Sequence, residues 1–296
     1  MDINYVFEKK GVSSNIEIIK ELIREVKIIY TDIDGTLVGP DGSIFRDDAG
    51  KLSIKIAEAL LYTHMLKKDV VMVSGRTNDQ LKSNAELLGF KNYIAELGTQ
   101  IVYNLGEKVY YNIGDFQVTG RNIYESIMNS GAPDSLLERY EGKLEYHTPW
   151  SEYRDCTVLL RGHVDLREAN SFLRDSGYEN LKLVDNGVIN VKTKNLSVSE
   201  IHAYHLLPKE SGKKSAVEKD KEIRNIKKEE AISIGESASD IEIAEVTQIF
   251  FLVRNGLEND PSLVETVLNS KNIFVLEKRM GLGWAEAIDL LRQSQR

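Results

Sequence analysis

Cysteine is almost absent from this chain. Cys156 stands alone among 296 residues, so no intramolecular disulfide can form, and the usage is that of a reducing compartment. Long apolar runs are missing too: no stretch approaches the ~20 residues that span a bilayer. The opening MDINYVFEKK carries charges where a secretory signal would carry an apolar segment, so no signal peptide is expected. Basic residues are in deficit, with 38 Lys and Arg against 46 Asp and Glu for a net charge of −8. No nucleic-acid or membrane partner is therefore expected, and an anionic ligand would need holding locally, by a metal, backbone amides or a few cations. Internal repeats, low-complexity tracts and flexible linkers are absent as well. The expectation is a soluble cytoplasmic protein, monomer or homodimer.

What is present is a regular alternation of strands and helices. Apolar residues make up 42% of the chain and charged ones 28%, ordinary values with ample material for a core. "SNIEIIKELIREV" places Ile16, Ile19, Leu22 and Ile23 on one helical face, ahead of a strand over 26–31. "KLSIKIAEALLYTHMLKKD" repeats Leu52, Ile56, Leu60 and His64 every four residues, which makes His64 a core or flank residue of a helix rather than a ligand. "VVMVSGRT" reads as a short buried strand, and "YIAELGTQIVYN" with "KVYYNI" as a strand and hairpin. Near-continuous Val/Ile runs between helices indicate a mostly parallel sheet covered on both faces, a Rossmann-like three-layer α/β core.

From about residue 113 the texture changes. "LEYHTP", "CTVLLRG", "LKLVDN", "VINVKT" and "EIHAYHLLP" read as strands of an antiparallel sheet with one wet face, with helices at "NIYESIMNS" and "DLREANSFLRDS". The parallel pattern resumes with "EEAISIGESASDIEIAEV", "IFFLVRNG" and "NIFVLE". The expected organisation is a discontinuous core domain, 1–112 and 206–296, interrupted by an α+β domain at 113–205. "GKKSAVEKDKEIRNIKKEE" is charge-rich but reads as a solvated helix.

The chemistry concentrates where parallel strands end, since open α/β sheets bind ligands beyond their carboxyl edges. "KIIYTDIDGTLVGP", 27–40, brings an apolar strand up to two aspartates one residue apart. Strand alternation projects Asp32 and Asp34 to the same side, where they repel each other. One reading makes them caps of a turn, since Asp-Gly is turn chemistry. A calcium loop fails, because its first ligand would be Tyr30 and the flank is strand. A divalent cation relieves the repulsion, and hard oxygen ligands favour magnesium. Three further polar groups stand at comparable places: Ser74, the pair Lys213 and Lys214, and "IGESASD" with Glu236 and Asp240. In that order they can assemble a magnesium and phosphate site.

With "DIDGT" at 32–36, "VSGR" at 73–76, "KKSAV" at 213–217 and "GESASD" at 235–240, the chain resembles the haloacid dehalogenase superfamily of phosphohydrolases. The insert between the second and third motifs is similar to that of the Cof-like and sucrose-phosphatase-like subgroup, with an inserted α+β cap domain. "MGLGWAEAI", 280–288, is similar to segments of mannosylphosphoglycerate phosphatases. The resemblance implies an Mg²⁺-dependent phosphatase acting on a small phosphorylated metabolite, a sugar phosphate or phosphoglycerate derivative. It implies Asp32 as nucleophile, Asp34 as general acid and base, and Lys213, rather than Lys214, as the transition-state cation. Ser74, Gly75, Arg76 and Asn255 would meet the substrate. Asp32, Asp34, Glu236 and Asp240 would hold the metal, with Asp240 ahead of Glu236 because glutamate replaces the family's aspartate there. From the cap, Tyr153, Arg154, Arg161, Lys192, Lys194, His202 and His205 are candidate substrate contacts. A phosphomutase using the same residues and a non-catalytic regulatory protein are the alternatives.

Overall fold

The computed structural model describes residues 3–189 and 191–295. Among the described residues, twelve strands make two sheets: β1 (Ile28–Thr31), β2 (Asp69–Val73), β3 (Tyr93–Ala95), β4 (Gln100–Tyr103), β5 (Lys108–Tyr111), β6 (Leu144–Tyr146), β7 (Val158–Gly162), β8 (Leu181–Val188), β9 (His202–Pro208), β10 (Ala231–Gly235), β11 (Ile249–Leu252) and β12 (Ile273–Val275). The large sheet has the order β12-β11-β10-β1-β2-β3-β4-β5. Its first six strands run parallel, and β4 and β5 fold back as the expected hairpin. The α/β class and mostly parallel core read from the sequence are therefore present.

Strand alternation explains why β1 is buried throughout. Ile29 enters a core with the helices Ile16–Leu22, Lys55–Met65, Asn78–Leu88 and Met280–Ser294. Ile28 and Tyr30 enter the opposite core, with the helices Ile3–Lys10, Lys213–Arg224 and Leu263–Asn269. Both faces are dry, so every position of the strand is buried. Tyr30 and Tyr103 both donate their hydroxyls to the buried Asp220 carboxylate, at 2.6 and 2.5 Å. These bonds pin the helix that begins at Lys213 to the sheet, so the position of Lys213 is set by a polar anchor two turns away.

The N-terminal segment guards the sheet edge. Gly11 pairs with Val275 of β12, and the amide of Val12 donates to the Val275 carbonyl at 3.0 Å. The helices on either side of that bridge bury Val6 on one face of the sheet and Ile19 on the other. An exposed edge strand invites pairing with another chain, and this segment covers one.

The small sheet is antiparallel, in the order β6-β7-β9-β8. Val158, Leu160, Tyr204 and Leu206 turn one face onto the helices Ile123–Asn129, Ala132–Arg139 and Leu166–Asp175. The alternate residues Leu159, Ala203 and His205 face the large sheet's carboxyl edge and line a cavity there. "VINVKT" is not a strand of this sheet. β8 ends at Val188, where Gly187 is left-handed at φ 97° and the ladder with β9 shifts register. Asn190 lies outside the described residues. β9 runs on to Pro208, straddling residue 205, where the sequence reading divides the chain. No helix among the described residues is long and apolar enough to cross a membrane.

Candidate active site

The four motifs end strands or begin helices along one edge of the large sheet, and they meet at one cavity of about 690 Å³ between the two sheets. Asp32 follows β1 directly, its amide donating to the Ile234 carbonyl of β10 at 3.0 Å. Gly35, at φ 78°, turns the chain back beside Glu236, whose carboxylate fills the space a Cβ there would need. Lys213 is the first residue of its helix and only 3% exposed. Its Nζ donates to Asp32 Oδ1 at 3.0 Å and to Asp240 Oδ1 at 2.6 Å. Lys214 points away and pairs with Glu245 on the surface.

The carboxylates are not equivalent. The second oxygen of Asp240 accepts the amides of Glu236 and Ser237, at 3.1 and 3.0 Å, and the Ser237 hydroxyl at 2.7 Å. With Lys213 on the first oxygen, its accepting capacity is well used. No donor among the described residues reaches Asp32 Oδ2 or Glu236 Oε1; of the two Glu236 oxygens only Oε2 accepts, from Asn255 Nδ2. Burial, assisted by the neighbouring acids Asp32 and Asp240, pushes Glu236 up to about 8. Burial likewise raises Asp32 to about 7, with Lys213 opposing and Asp240 and Asp34 adding to the rise. Lys213 moves upward as well: burial alone would lower it, but Asp240 and Asp32 outweigh that.

This shift has a measurable consequence for the metal-free protein. Folding strengthens the hold of Asp32 on its proton, so its contribution is lost as pH rises from its ordinary 3.8 to about 7. Across that window wild type should lose melting temperature relative to Asp32→Asn, which has no proton to release. Parallel curves for the two proteins in chelator would show that Asp32 is not the group responsible.

Ser74 follows β2, buried at 2% exposure, and its Oγ accepts the Arg76 amide at 3.3 Å. Thr77 then caps the helix Asn78–Leu88, in a capping box with Gln80. Arg76 grips both oxygens of Asp34 and also donates to Asn84 Oδ1 at 2.9 Å. Asp34 itself is on the rim, its side chain 61% exposed. Gly75 lies close under the small sheet: a Cβ there would come 2.7 Å from Asn186 Nδ2 and 2.9 Å from His205 Nε2. Asn255, expected at the substrate, is fully buried away from the cavity wall. Its Nδ2 also donates to the Gly35 carbonyl at 3.0 Å, and its Oδ1 accepts the Met280 amide at 2.7 Å, so it orients Glu236 and the turn after Asp34.

Of the seven cap candidates, Arg154 and His205 line the cavity. Tyr153 is 94% exposed, and Lys192 and Lys194 are exposed as well. Arg161 is tied to Glu145, and His202 points to the opposite face of β9, between Asp185 and Glu200. The lining includes residues that sequence reasoning passed over: His147, Trp150 and Asn186. His147 is pushed down to about 4 by burial and then by Arg161 and Arg154. Glu96 was missed too. Just past β3 and fully buried, it accepts the amides of Asp155, Cys156 and Thr157 and joins the small sheet to the large one. Its signal was available, an acid at the carboxyl end of a parallel strand.

No protein-family model matches the chain. Two curated relatives are both named phosphoglycolate phosphatase. That of Metallosphaera sedula is 27% identical over 268 residues, covering 90% of this chain and 99% of the relative. That of Saccharolobus solfataricus is 24% identical over 276 residues, covering 91% and 97%. Among solved structures, the sucrose-phosphatase of Synechocystis sp. PCC6803, in complex with sucrose and phosphate, aligns with a TM-score of 0.60 at 15% identity, over 91% of this chain and 98% of that one. A haloacid dehalogenase-like hydrolase from Bacteroides thetaiotaomicron aligns with a TM-score of 0.56 at 15% identity, over 89% and 98%. The fold is common to this chain and these two structures.

Proposed function

We propose that this haloacid dehalogenase-type phosphatase hydrolyses a small phosphorylated metabolite, a sugar phosphate or a phosphorylated hydroxy-acid such as phosphoglycolate, through an aspartyl-phosphate intermediate. The observation that carries the reading is Lys213 bridging Asp32 and Asp240 on the floor of a cavity whose wall holds Ser74 and Gly75. Lys213 holds Oδ1 of Asp32 and leaves Oδ2 free to attack phosphorus. The ester oxygen departs with a proton from Asp34, which then takes a proton from the water that attacks the acyl phosphate. That attack breaks the phosphorus–Oδ2 bond, releases inorganic phosphate and restores Asp32. Ser74 Oγ and the Gly75 amide would hold the phosphoryl oxygens, with Lys213 stabilising charge in the transition state. Arg76 keeps Asp34 at the rim until a leaving group competes for it.

The donor set suits a hard divalent cation. Glu236 Oε1 is a carboxylate oxygen without a hydrogen-bond donor among the described residues, and burial pushes Glu236 and the neighbouring Asp32 toward protonation, which a cation there would oppose. When bound there, Mg²⁺ would neutralise phosphoryl oxygens and the cluster's own charge. The hydrogen bonding supports the opposite of the ranking read from the motif: Glu236 as the direct ligand, with Asp240, which four donors already reach, orienting Lys213 and the loop. Glu236→Gln is therefore expected to raise the Mg²⁺ concentration for half-maximal activity by roughly tenfold or more, and more than Asp240→Asn does. The opposite order in an Mg²⁺ titration returns the direct role to Asp240.

The reading is tested by phosphate release from a panel of sugar phosphates, phosphoglycolate and phosphoglycerate derivatives, with and without Mg²⁺. Isomerised product without inorganic phosphate would make the chain a mutase, and no turnover on any ester would leave a binding protein.

A further inference from the structure

We infer that His205 is a specificity-determining residue that accepts, through Nε2, a hydrogen bond from a hydroxyl on the organic part of the substrate; this rests on the phosphatase reading of the same cavity. The tautomer follows from counting protons around Thr157. Its Oγ1 has three neighbours: Glu96 Oε2 at 2.8 Å, Arg154 Nε at 3.0 Å and His205 Nδ1 at 3.2 Å. Glu96 receives backbone amides on both oxygens and pairs with Arg154, so it can only accept. The single hydroxyl hydrogen therefore goes to Glu96. Arg154 can only donate, which fills one lone pair of Oγ1. The remaining lone pair suits an N–H, so His205 carries its hydrogen on Nδ1 and leaves Nε2 bare.

The bare nitrogen has no protein partner among the described residues, and it hangs over Gly75, where a Cβ would come within 2.9 Å of it. Burial, with Arg154, Lys213 and His147 nearby, holds the ring well below its ordinary value, so it stays neutral. Beside it stands the Asn186 amide, 2.7 Å from the same Cβ position. An acceptor paired with an amide, above Gly75, matches an alcohol, which can donate to Nε2. A carboxylate offers Nε2 nothing to accept. Glu96 acts through Thr157 and is a positioning residue.

The test compares glycerol phosphate with propyl phosphate, which has the same carbon count and lacks the hydroxyls, using para-nitrophenyl phosphate as a control for chemistry. Wild type should prefer glycerol phosphate by roughly tenfold in kcat/KM. His205→Ala should erase that preference by losing rate on glycerol phosphate alone, and His205→Gln, whose amide oxygen can accept, should keep part of it. Equal losses on both esters, or no preference in wild type, would overturn the assignment. Silence on all three esters and on the sugar phosphate, phosphoglycolate and phosphoglycerate panel would instead overturn the phosphatase reading. Nitrogen-15 shifts of the wild-type imidazole give an independent reading: protonation on Nε2 would refute the tautomer whether or not the variants fold.

Discussion

Asp32→Asn is expected to cut phosphate release by roughly a thousandfold or more while leaving the protein folded. The substitution keeps the shape of the side chain, and the amide oxygen can still accept from Lys213 Nζ where Asp32 Oδ1 does at 3.0 Å. What it removes is the nucleophile, because a neutral amide does not displace an alkoxide from phosphorus. Stability should not suffer, since burial disfavours the Asp32 charge and holds its carboxyl up at about 7. Asp34→Asn separates the two roles. It should spare the first displacement for an aryl phosphate, whose leaving group needs little protonation, and slow it for an alkyl ester. Phosphate release and melting temperature on the same samples decide the matter. An Asp32→Asn protein within tenfold of wild type would remove the aspartyl-phosphate step from consideration.

Much of this site was legible because parallel sheets put chemistry at strand ends. Asp32, Ser74 and Glu236 each follow a mostly apolar run of four or five buried residues, and Lys213 begins a helix. Such signals are local, so a single sequence carries them. The roof was less legible because its residues are defined by long-range contacts. Arg154 follows the fully solvated Tyr153 and looks like a surface arginine, yet its Nη2 donates to the Gly75 carbonyl at 2.6 Å. Glu96 lies in a turn, Glu96–Leu97, that takes positive φ without glycine at either position, and its ligands come from 155–157. His202 and His205 look alike in "EIHAYHLLP"; three residues apart on a strand, they fall on opposite faces. Only a fixed register could say which faced the cavity. The same limit applies to Asn255, whose place beside a strand end suggested a ligand contact, whereas its amide is committed to protein atoms.

Lys213→Met should show how the acidic cluster is kept in the fold. Methionine nearly matches the aliphatic stem of lysine in volume, so the change is mostly one of charge. It leaves Asp32, Asp240 and Glu236 without the buried ammonium that bridges two of them. Breaking a buried ion pair from one side costs on the order of 3–5 kcal/mol, a fall in melting temperature on the order of 10 °C for a chain of this size. The loss should depend on pH in a definite direction. Lys213 is what holds the Asp32 carboxyl down against burial, so its removal raises that group further and folding then favours the protonated acid more strongly. The variant should be close to wild type in acid, where the carboxyls take up protons, and fall increasingly behind as pH rises past about 7. Mg²⁺ should recover more melting temperature in the variant than in wild type, because it adds positive charge to carboxylates that have lost their own. Activity should not return with the stability, since phosphoryl transfer also needs the ammonium against the transition state. A variant as stable as wild type in chelator at every pH would mean that the carboxylates are neutralised by protons or backbone dipoles, and that Lys213 is there for catalysis alone.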